Sequence, residues 1–225
     1  MIYTILILIP VFGIIISLYL LKPNLMLRPF IGATVINAII FLTIDTFLTG
    51  KSWYFNQDYI LGFYLINLPI EEVLFFLVIP PIVYILSLYL PSHISYRYIN
   101  IGIVLVAILI LSSAKSGIYT DLMIILSIIG LVYYIIFGDM EIDRAVVLSY
   151  LLFLPYNYIL TSVPVVVYIP EGFSNIRFIT IPVEDFLFNF IMMLGFVGGF
   201  KIARDLSKMC SPIQILSDLK RRLSL

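Results

Sequence analysis

Long apolar segments fill most of this chain of 225 residues. Hydropathy separates seven of them, at residues 2–21, 30–48, 66–90, 98–114, 119–137, 145–163 and 183–200. Most are close to the ~20 residues that an α-helix needs to cross a bilayer. Because 62% of the residues are hydrophobic and only 12% are charged, the composition excludes an ordinary soluble domain. We therefore predict an all-α fold, a polytopic membrane bundle of about seven helices that forms one domain over residues 1–225.

The basic residues indicate how such a bundle lies in the cell membrane. In the seven-span arrangement, ten lysines and arginines fall on one side of the membrane and three on the other. Since basic residues concentrate in cytoplasmic loops, we expect the amino terminus outside and the carboxyl terminus in the cytoplasm. Six spans, with the fourth and fifth merged, would move the basic tail to the outside, so the charge pattern favours seven.

Several kinds of partner and cofactor are not expected. The formal net charge is zero, which gives no reason to expect a nucleic-acid partner. Cys210 and His93 are the only residues of their types, so the sequence contains no ligand set for a zinc or haem site. We expect no metal and no cofactor. Membrane lipid is an expected partner, and the oligomeric state stays open.

Two short acidic motifs occur at the start of apolar segments. The first is Pro69-Ile70-Glu71-Glu72 and the second is Pro182-Val183-Glu184-Asp185. They begin the third and seventh spans, so both helices are predicted to run in the same direction. The sequence thus predicts two parallel repeats, with repeat 1 at about 1–91, a connector helix at about 98–114, repeat 2 at about 119–200 and a basic amphipathic cytoplasmic tail at 201–225.

Carboxyl groups inside an apolar span are costly, so the four acids of these motifs indicate a function. Acids after a proline also form ordinary helix starts, where they satisfy free N–H groups, and this alternative stays open. Two adjacent carboxyl groups in a medium of low dielectric constant resist double ionisation, so one can hold a proton and act as a general acid. The other can remain a carboxylate that stabilises a cation or accepts a proton.

Aromatic residues accompany each motif. Phe75 and Phe76 lie one helical turn after the acids of the first motif, and Phe186 and Phe188 follow the acids of the second. Residues four apart share a helical face, and aromatic faces stabilise a cation without attacking it. Acids beside aromatic rings are what carbocation chemistry on a polyene needs, although packing or contact with lipid explains the phenylalanines as well.

The end of the second span and the loop after it contain three further candidates. Asp45 could face a common cavity or pair with a nearby lysine, and Trp53 and Tyr54 fit an interfacial aromatic belt. Asn157 precedes the second motif at nearly the spacing with which Asp45 precedes the first. Tyr168 and Tyr54 have a similar relation to the two motifs. These spacings are weak support for the predicted repeat.

The paired Pro-x-Glu-Glu/Asp motif resembles that of the flavin-independent lycopene cyclase domain family. In that family two three-span halves occur as separate subunits or fused in one chain, and this sequence looks like the fused form. The resemblance covers essentially the whole length and is strongest at residues 45–76 and, in the second half, at 181–188.

The resemblance implies an enzyme that cyclises the acyclic ψ ends of lycopene, or of another acyclic carotenoid, to β-ionone rings without net redox change. The catalytic residues would be Glu71, Glu72, Glu184 and Asp185. The substrate-binding residues would be Asp45, Trp53, Tyr54, Phe75, Phe76, Phe186 and Phe188. A related carotenoid hydratase, a proton-coupled carrier and a non-enzymatic carotenoid-binding protein are the alternatives.

Overall fold

Seven helices form the computed structural model, which describes residues 2–209. They are α1 (Ile2–Leu21), α2 (Leu27–Leu48), α3 (Ile70–Ser87), α4 (Arg97–Ser112), α5 (Ile118–Phe137), α6 (Met140–Ser162) and α7 (Val183–Met209). Six of them are long and apolar enough to cross a membrane, whereas α4, with 16 residues, is shorter. These helices confirm the predicted all-α polytopic bundle.

Short strands lie in the loops at one end of the bundle, called here the hairpin end. They are β1 (Trp53–Phe55), β2 (Tyr64–Leu65), β3 (Leu68–Pro69), β4 (Val166–Tyr168), β5 (Arg177–Phe178) and β6 (Ile181–Pro182). The β2–β3 and β5–β6 hairpins are antiparallel and lead directly into α3 and α7. β1 pairs with β4 antiparallel, with Trp53 opposite Tyr168 and Phe55 opposite Val166. This last pairing joins a loop of the first half of the chain to a loop of the second half.

Several helix boundaries differ from those that hydropathy predicts, among them the start of α3 and the end of α7. The third predicted span begins at residue 66, but α3 begins at Ile70, because residues 64–69 form a tight hairpin. α7 continues to Met209, beyond the predicted end at residue 200, so the first part of the predicted tail is helical. The rest of the predicted basic amphipathic tail lies outside the described residues.

α3 and α7, the two helices that begin with acidic motifs, are the most enclosed of the six long helices. α7 packs against α2, α4, α5 and α6, and Leu187, Phe190 and Met193 are completely buried there. Gly198 allows α5 to approach, because a Cβ atom at this position would lie 3.1 Å from the Tyr133 hydroxyl. α1, by contrast, packs on α3 and is mostly exposed. Both acidic motifs therefore start helices of the interior.

Candidate active site

The two acids of the first motif have different partners. Glu71 accepts hydrogen bonds from the Thr4 hydroxyl (2.8 Å) and from the Leu61 amide (2.8 Å). Glu72 accepts a hydrogen bond from the Tyr3 hydroxyl. The first acid thus binds the loop that precedes its helix, and both acids are held by the first turn of α1.

Glu184, the first acid of the second motif, makes the same contacts as Glu71. It accepts hydrogen bonds from the Thr120 hydroxyl (2.6 Å) and from the Ser174 amide (2.7 Å). Both Glu184 and Glu71 therefore bind an amide ten residues earlier in the chain. The hydrogen bonds described for these two acids go to a neighbouring helix and loop, and not to free N–H groups of the helix that each acid begins.

Asp185, the second acid of the second motif, accepts three hydrogen bonds from side chains. Its donors are the Tyr119 hydroxyl (2.8 Å), the Asn157 amide (2.7 Å) and the Tyr168 hydroxyl (2.7 Å). Burial, and then the negative charge of Asp185, raises the pKa of the Tyr168 hydroxyl well above its usual value. Tyr168 therefore keeps its proton and remains a hydrogen-bond donor.

Glu72 and Asp185 face one small cavity of about 80 Å³ at the hairpin end, and Asp45 of α2 also lines it. We call this space the acidic cavity. The exposed fractions of Glu72, Asp185 and Asp45 are 8%, 5% and 3%, so all three carboxyl groups are shielded from bulk water. The described residues that line the cavity include no basic side chain. Simultaneous ionisation of three carboxyl groups in such a space is unfavourable, because like charges repel strongly where the dielectric constant is low.

A layer of four phenylalanines lies about one helical turn from these acids. The ring centre of Phe41 on α2 lies 6.2 Å from that of Phe76 and 5.3 Å from that of Phe188. The Phe76 ring centre lies 6.0 Å from that of Phe188 and 5.2 Å from that of Phe75. We call this group the phenylalanine layer, and its members Phe75 and Phe188 line the acidic cavity. Aromatic faces attract positive charge, so the layer suits a cation formed next to the acids.

A protein-family model described as lycopene cyclase matches residues 1–90 and 144–203. The chain belongs to the lycopene cyclase family. Comparisons with the curated proteins and with the solved structures gave no match. The matched residues include both acidic motifs and Asp45. Membership of this family makes the chain an enzyme of carotenoid cyclisation that acts on a carotenoid.

The predicted substrate-binding residues of this cyclase lie in three different places. Those on the wall of the acidic cavity are Asp45, Trp53, Phe75 and Phe188. Phe76 is buried in the phenylalanine layer. Tyr54 is half exposed, and Phe186 packs against Phe153 and Phe178, so neither belongs to the cavity wall. Substrate binding by these residues stays a prediction.

Sequence reasoning missed the tyrosine–threonine pairs that hold the acids, and it noted Asn157 and Tyr168 only for their spacing to the second motif. The dipeptides Tyr3-Thr4 and Tyr119-Thr120 occur 116 residues apart, in the first turns of α1 and α5, and this recurrence could have revealed them. Phe55 and Tyr168 each lie 14 residues before a motif proline. Their rings stack on the tyrosines of these dipeptides, with ring centres 6.4 Å and 6.5 Å apart. Phe55, and not Tyr54, is thus the equivalent of Tyr168.

Two apolar grooves open on the sides of the cyclase bundle. The α1–α6 groove has a volume of about 410 Å³ between α1, α3, α6 and α7, and the α2–α5 groove has about 680 Å³ between α2, α5 and α7. The α1–α6 groove and the acidic cavity have common wall residues, namely Phe75, Phe153, Asn157, Asn189 and Met192. The α2–α5 groove has none in common with the cavity among the described residues. Of these two grooves, the α1–α6 groove is thus the one that adjoins the acidic cavity.

Proposed function

We propose that this enzyme closes the acyclic ψ ends of lycopene, or of another acyclic carotenoid, to β-ionone rings by adding and removing a proton. The reaction involves no net redox change. The observation that carries this proposal is the acidic cavity, where Asp45, Glu72 and Asp185 meet beside the phenylalanine layer and an apolar groove. Proton-initiated cyclisation needs a proton donor, a proton acceptor and a wall that stabilises a carbocation without attacking it.

Glu72 is the proposed proton donor. Within residues 2–209, Tyr3 is its one hydrogen-bond partner, and it shares the acidic cavity with two other carboxyl groups. Crowding of like charges in a medium of low dielectric constant favours the neutral form of one partner. A neutral carboxyl group beside a terminal double bond is a suitable general acid.

Asp185 is the proposed proton acceptor. Its three hydrogen-bond donors, from α5, α6 and β4, stabilise the negative charge of its carboxylate form. A carboxylate that lies in the same cavity as the donor can attract the cation and then take its proton. The different surroundings of Glu72 and Asp185 thus support a donor and an acceptor on one cavity wall.

The proposed reaction has three steps. Glu72 transfers its proton to C2 of the terminal C1=C2 bond, which leaves a positive charge on C1. The electron pair of the C5=C6 bond then forms the C1–C6 bond and moves the charge to C5. Asp185 removes the proton from C6, and the electrons of that C–H bond form the C5=C6 double bond of the ring.

Glu71 and Glu184 act in this proposal as positioning residues. Their bonds to threonine hydroxyls and loop amides fix the starts of α3 and α7. Glu72 and Asp185 are the next residues in each helix, so their carboxyl groups depend on this fixation. The phenylalanine layer stabilises the passing cation, at about 0.5–2 kcal/mol for each well-placed ring.

The substrate reaches the acids through the α1–α6 groove in this proposal. This groove is apolar and lies at the side of the bundle, so a polyene can enter it from the lipid. The acidic cavity, at about 80 Å³, is smaller than the ~300 Å³ or more of most small-molecule sites. The end group therefore needs extra room, and rotation of Phe75 and Phe153, which line both spaces, would provide it.

We infer that the hairpin end faces the outside, with the amino terminus outside and the carboxyl terminus in the cytoplasm. Lys51, Lys115 and Arg177 lie in loops of the hairpin end, while the other described basic residues lie towards the opposite end. The excess of positive charge marks the cytoplasmic side. A Ser116→Cys variant with Cys210→Ser should react with an impermeant thiol reagent in intact cells. Reaction only after the cells are broken would contradict this orientation.

Expression in a lycopene-accumulating bacterium, followed by chromatography of the pigments, tests the proposed reaction. Formation of β-carotene or γ-carotene is the expected result. Hydroxylated acyclic pigment would favour a hydratase that captures the same cation with water. Unchanged lycopene, with the protein present in the membrane, would contradict the proposal and leave the carrier and binding functions.

A further inference from the structure

Each ring closure leaves two acids in the wrong state for the next one, if the proposed function is correct. Glu72 has lost its proton and Asp185 has gained one. The reaction neither consumes nor produces protons overall, so the enzyme is restored when this proton moves from Asp185 to Glu72. Both side chains are more than nine-tenths buried, so a route through bulk water is not direct.

Asp45 lies at the right place for such a transfer. It is carried by α2, which packs against both α3 and α7, the helices of Glu72 and Asp185. One turn earlier on α2, the Phe41 ring contacts the rings of both Phe76 and Phe188. These two rings are in turn one helical turn from Glu72 and Asp185. Asp45 therefore lies at the level of the two acids and lines the same cavity.

The Asp45 carboxyl group also lacks the partners that a structural acid would have. Its side chain is 3% exposed, and its Oδ2 atom is buried without a hydrogen bond. The ion pairs among residues 2–209 do not include it, and Lys51 lies instead 3.5 Å from the Phe47 ring centre. An unpartnered buried carboxyl group is costly to fold, so a structural role does not explain it.

The equivalent position in the second half of the chain contains an amide. Asn157 donates to Asp185 over 2.7 Å and also lines the cavity. An amide can hold the Asp185 carboxylate, but it cannot take up and release a proton as a carboxyl group does. Of these two residues, only Asp45 can therefore carry a proton, and it lies on α2, which packs against both α3 and α7.

We propose that Asp45 returns the proton from Asp185 to Glu72 after each ring closure. Because Asp45 is buried without a hydrogen-bond partner on Oδ2, its neutral form is favoured. The neutral Asp45 carboxyl group gives its proton to the Glu72 carboxylate and then takes the proton of the Asp185 carboxyl group, so it ends in the state in which it began. No other reactant is needed. One consequence is that the hydrogen removed from C6 of one substrate molecule is added to C2 of a later one.

The test compares the first turnover with later turnovers in the full-length enzyme in membranes. Asp45→Asn keeps the shape of the side chain and removes its ability to carry a proton. After long equilibration in buffer Glu72 is protonated in this variant too. Its first turnover should therefore lose much less than its steady-state rate, which should fall about tenfold or more relative to the unchanged enzyme. Asp45→Glu should restore part of the steady-state rate.

An isotope experiment gives a second readout that a structural role would not affect. With lycopene deuterated at C6, the unchanged enzyme should transfer deuterium to C2 of later products, and Asp45→Asn should lose this transfer. An unchanged steady-state rate in Asp45→Asn, or equal losses in the first and later turnovers, would overturn the proton return. A failure of the proposed function itself can be distinguished from these results. If Glu72 were not the proton donor, the Glu72→Gln variant would still complete its first turnover.

Discussion

The two halves of the molecule hold their acids with the same residue types but surround the second acid differently. In both halves a tyrosine binds the second acid and a threonine binds the first. Two further positions on the cavity wall differ between the halves. Asp45 of the first half is matched by Asn157 of the second, and Phe55 is matched by Tyr168. Both residues of the second half donate hydrogen bonds to Asp185, whereas those of the first half donate none to Glu72. In the proposed mechanism, these two side chains are what make Asp185 the acceptor and leave Glu72 as the donor.

The largest expected effect is on the rate of ring formation, and it distinguishes Glu72 and Asp185 from Glu71 and Glu184. Glu72→Gln or Asp185→Asn should lower the rate of ring formation by about 10²–10⁴-fold, the usual effect of losing a general acid or base. Glu71→Gln and Glu184→Gln keep an acceptor for the threonine and the loop amide, so each should cost about tenfold or less. Initial rates in membranes with equal amounts of protein measure both. A loss in Glu71→Gln as large as that in Glu72→Gln would remove the distinction between the two acids.

The next effect concerns the contact that joins the halves at the hairpin end. A Cβ atom on Gly172 would lie 2.4 Å from the Lys51 carbonyl oxygen, a clash with backbone that a rotamer change cannot relieve. Gly172→Ala should therefore lower stability by about 2–4 kcal/mol. Gly32→Ala is the matched control, since a Cβ atom there has no neighbour within 4 Å. Thermal unfolding in detergent should show a lower midpoint for Gly172→Ala alone, and equal midpoints would contradict the tight contact.

The smallest expected effect comes from making the two halves more alike. Phe55→Tyr places a hydroxyl at the position equivalent to that of Tyr168, where it can donate to Glu72 and stabilise its ionised form. A hydrogen bond to a charged group contributes about 1.5 kcal/mol at the lower end of its usual range. A smaller fraction of Glu72 would then be protonated, so ring formation should become about tenfold slower. Tyr168→Phe is the reciprocal change. It removes a donor from Asp185, so a smaller fraction of Asp185 should be ionised and able to accept a proton. Faster ring formation by the Phe55→Tyr enzyme would contradict the idea that the lack of a hydroxyl at this position helps Glu72 to donate its proton.

The helices were largely predictable because their signal is local. A run of apolar residues long enough to cross a bilayer determines a span by itself, and α1 begins and ends at the predicted residues. The start of α3 could not be predicted in this way, because the hairpin at residues 64–69 continues the apolar run. Hydropathy does not distinguish a tight turn from a helix. The predicted repeat boundaries stay a prediction, although the matched contacts of the two halves agree with them.

The site was predictable only in part, because its asymmetry depends on packing. The motifs identify four acids, yet adjacent residues on a helix point in different directions, and the approach of α1 and α5 decides which acid meets the cavity. That Asp45 meets the motif acids likewise requires α2 to lie between α3 and α7. The grooves depend on contacts between helices that are distant in sequence, so no local sequence pattern predicts them.

The identity of the products made by the two key variants tests most directly whether donor and acceptor are different acids. In cells that accumulate lycopene, Glu72→Gln should leave the substrate unchanged, since no cation forms without the donor. Asp185→Asn should still form the cation at a low rate, and chromatography with mass spectrometry should detect rings with a displaced double bond or an added hydroxyl. Altered rings from Glu72→Gln and none from Asp185→Asn, or the same product pattern from both, would contradict the assignment.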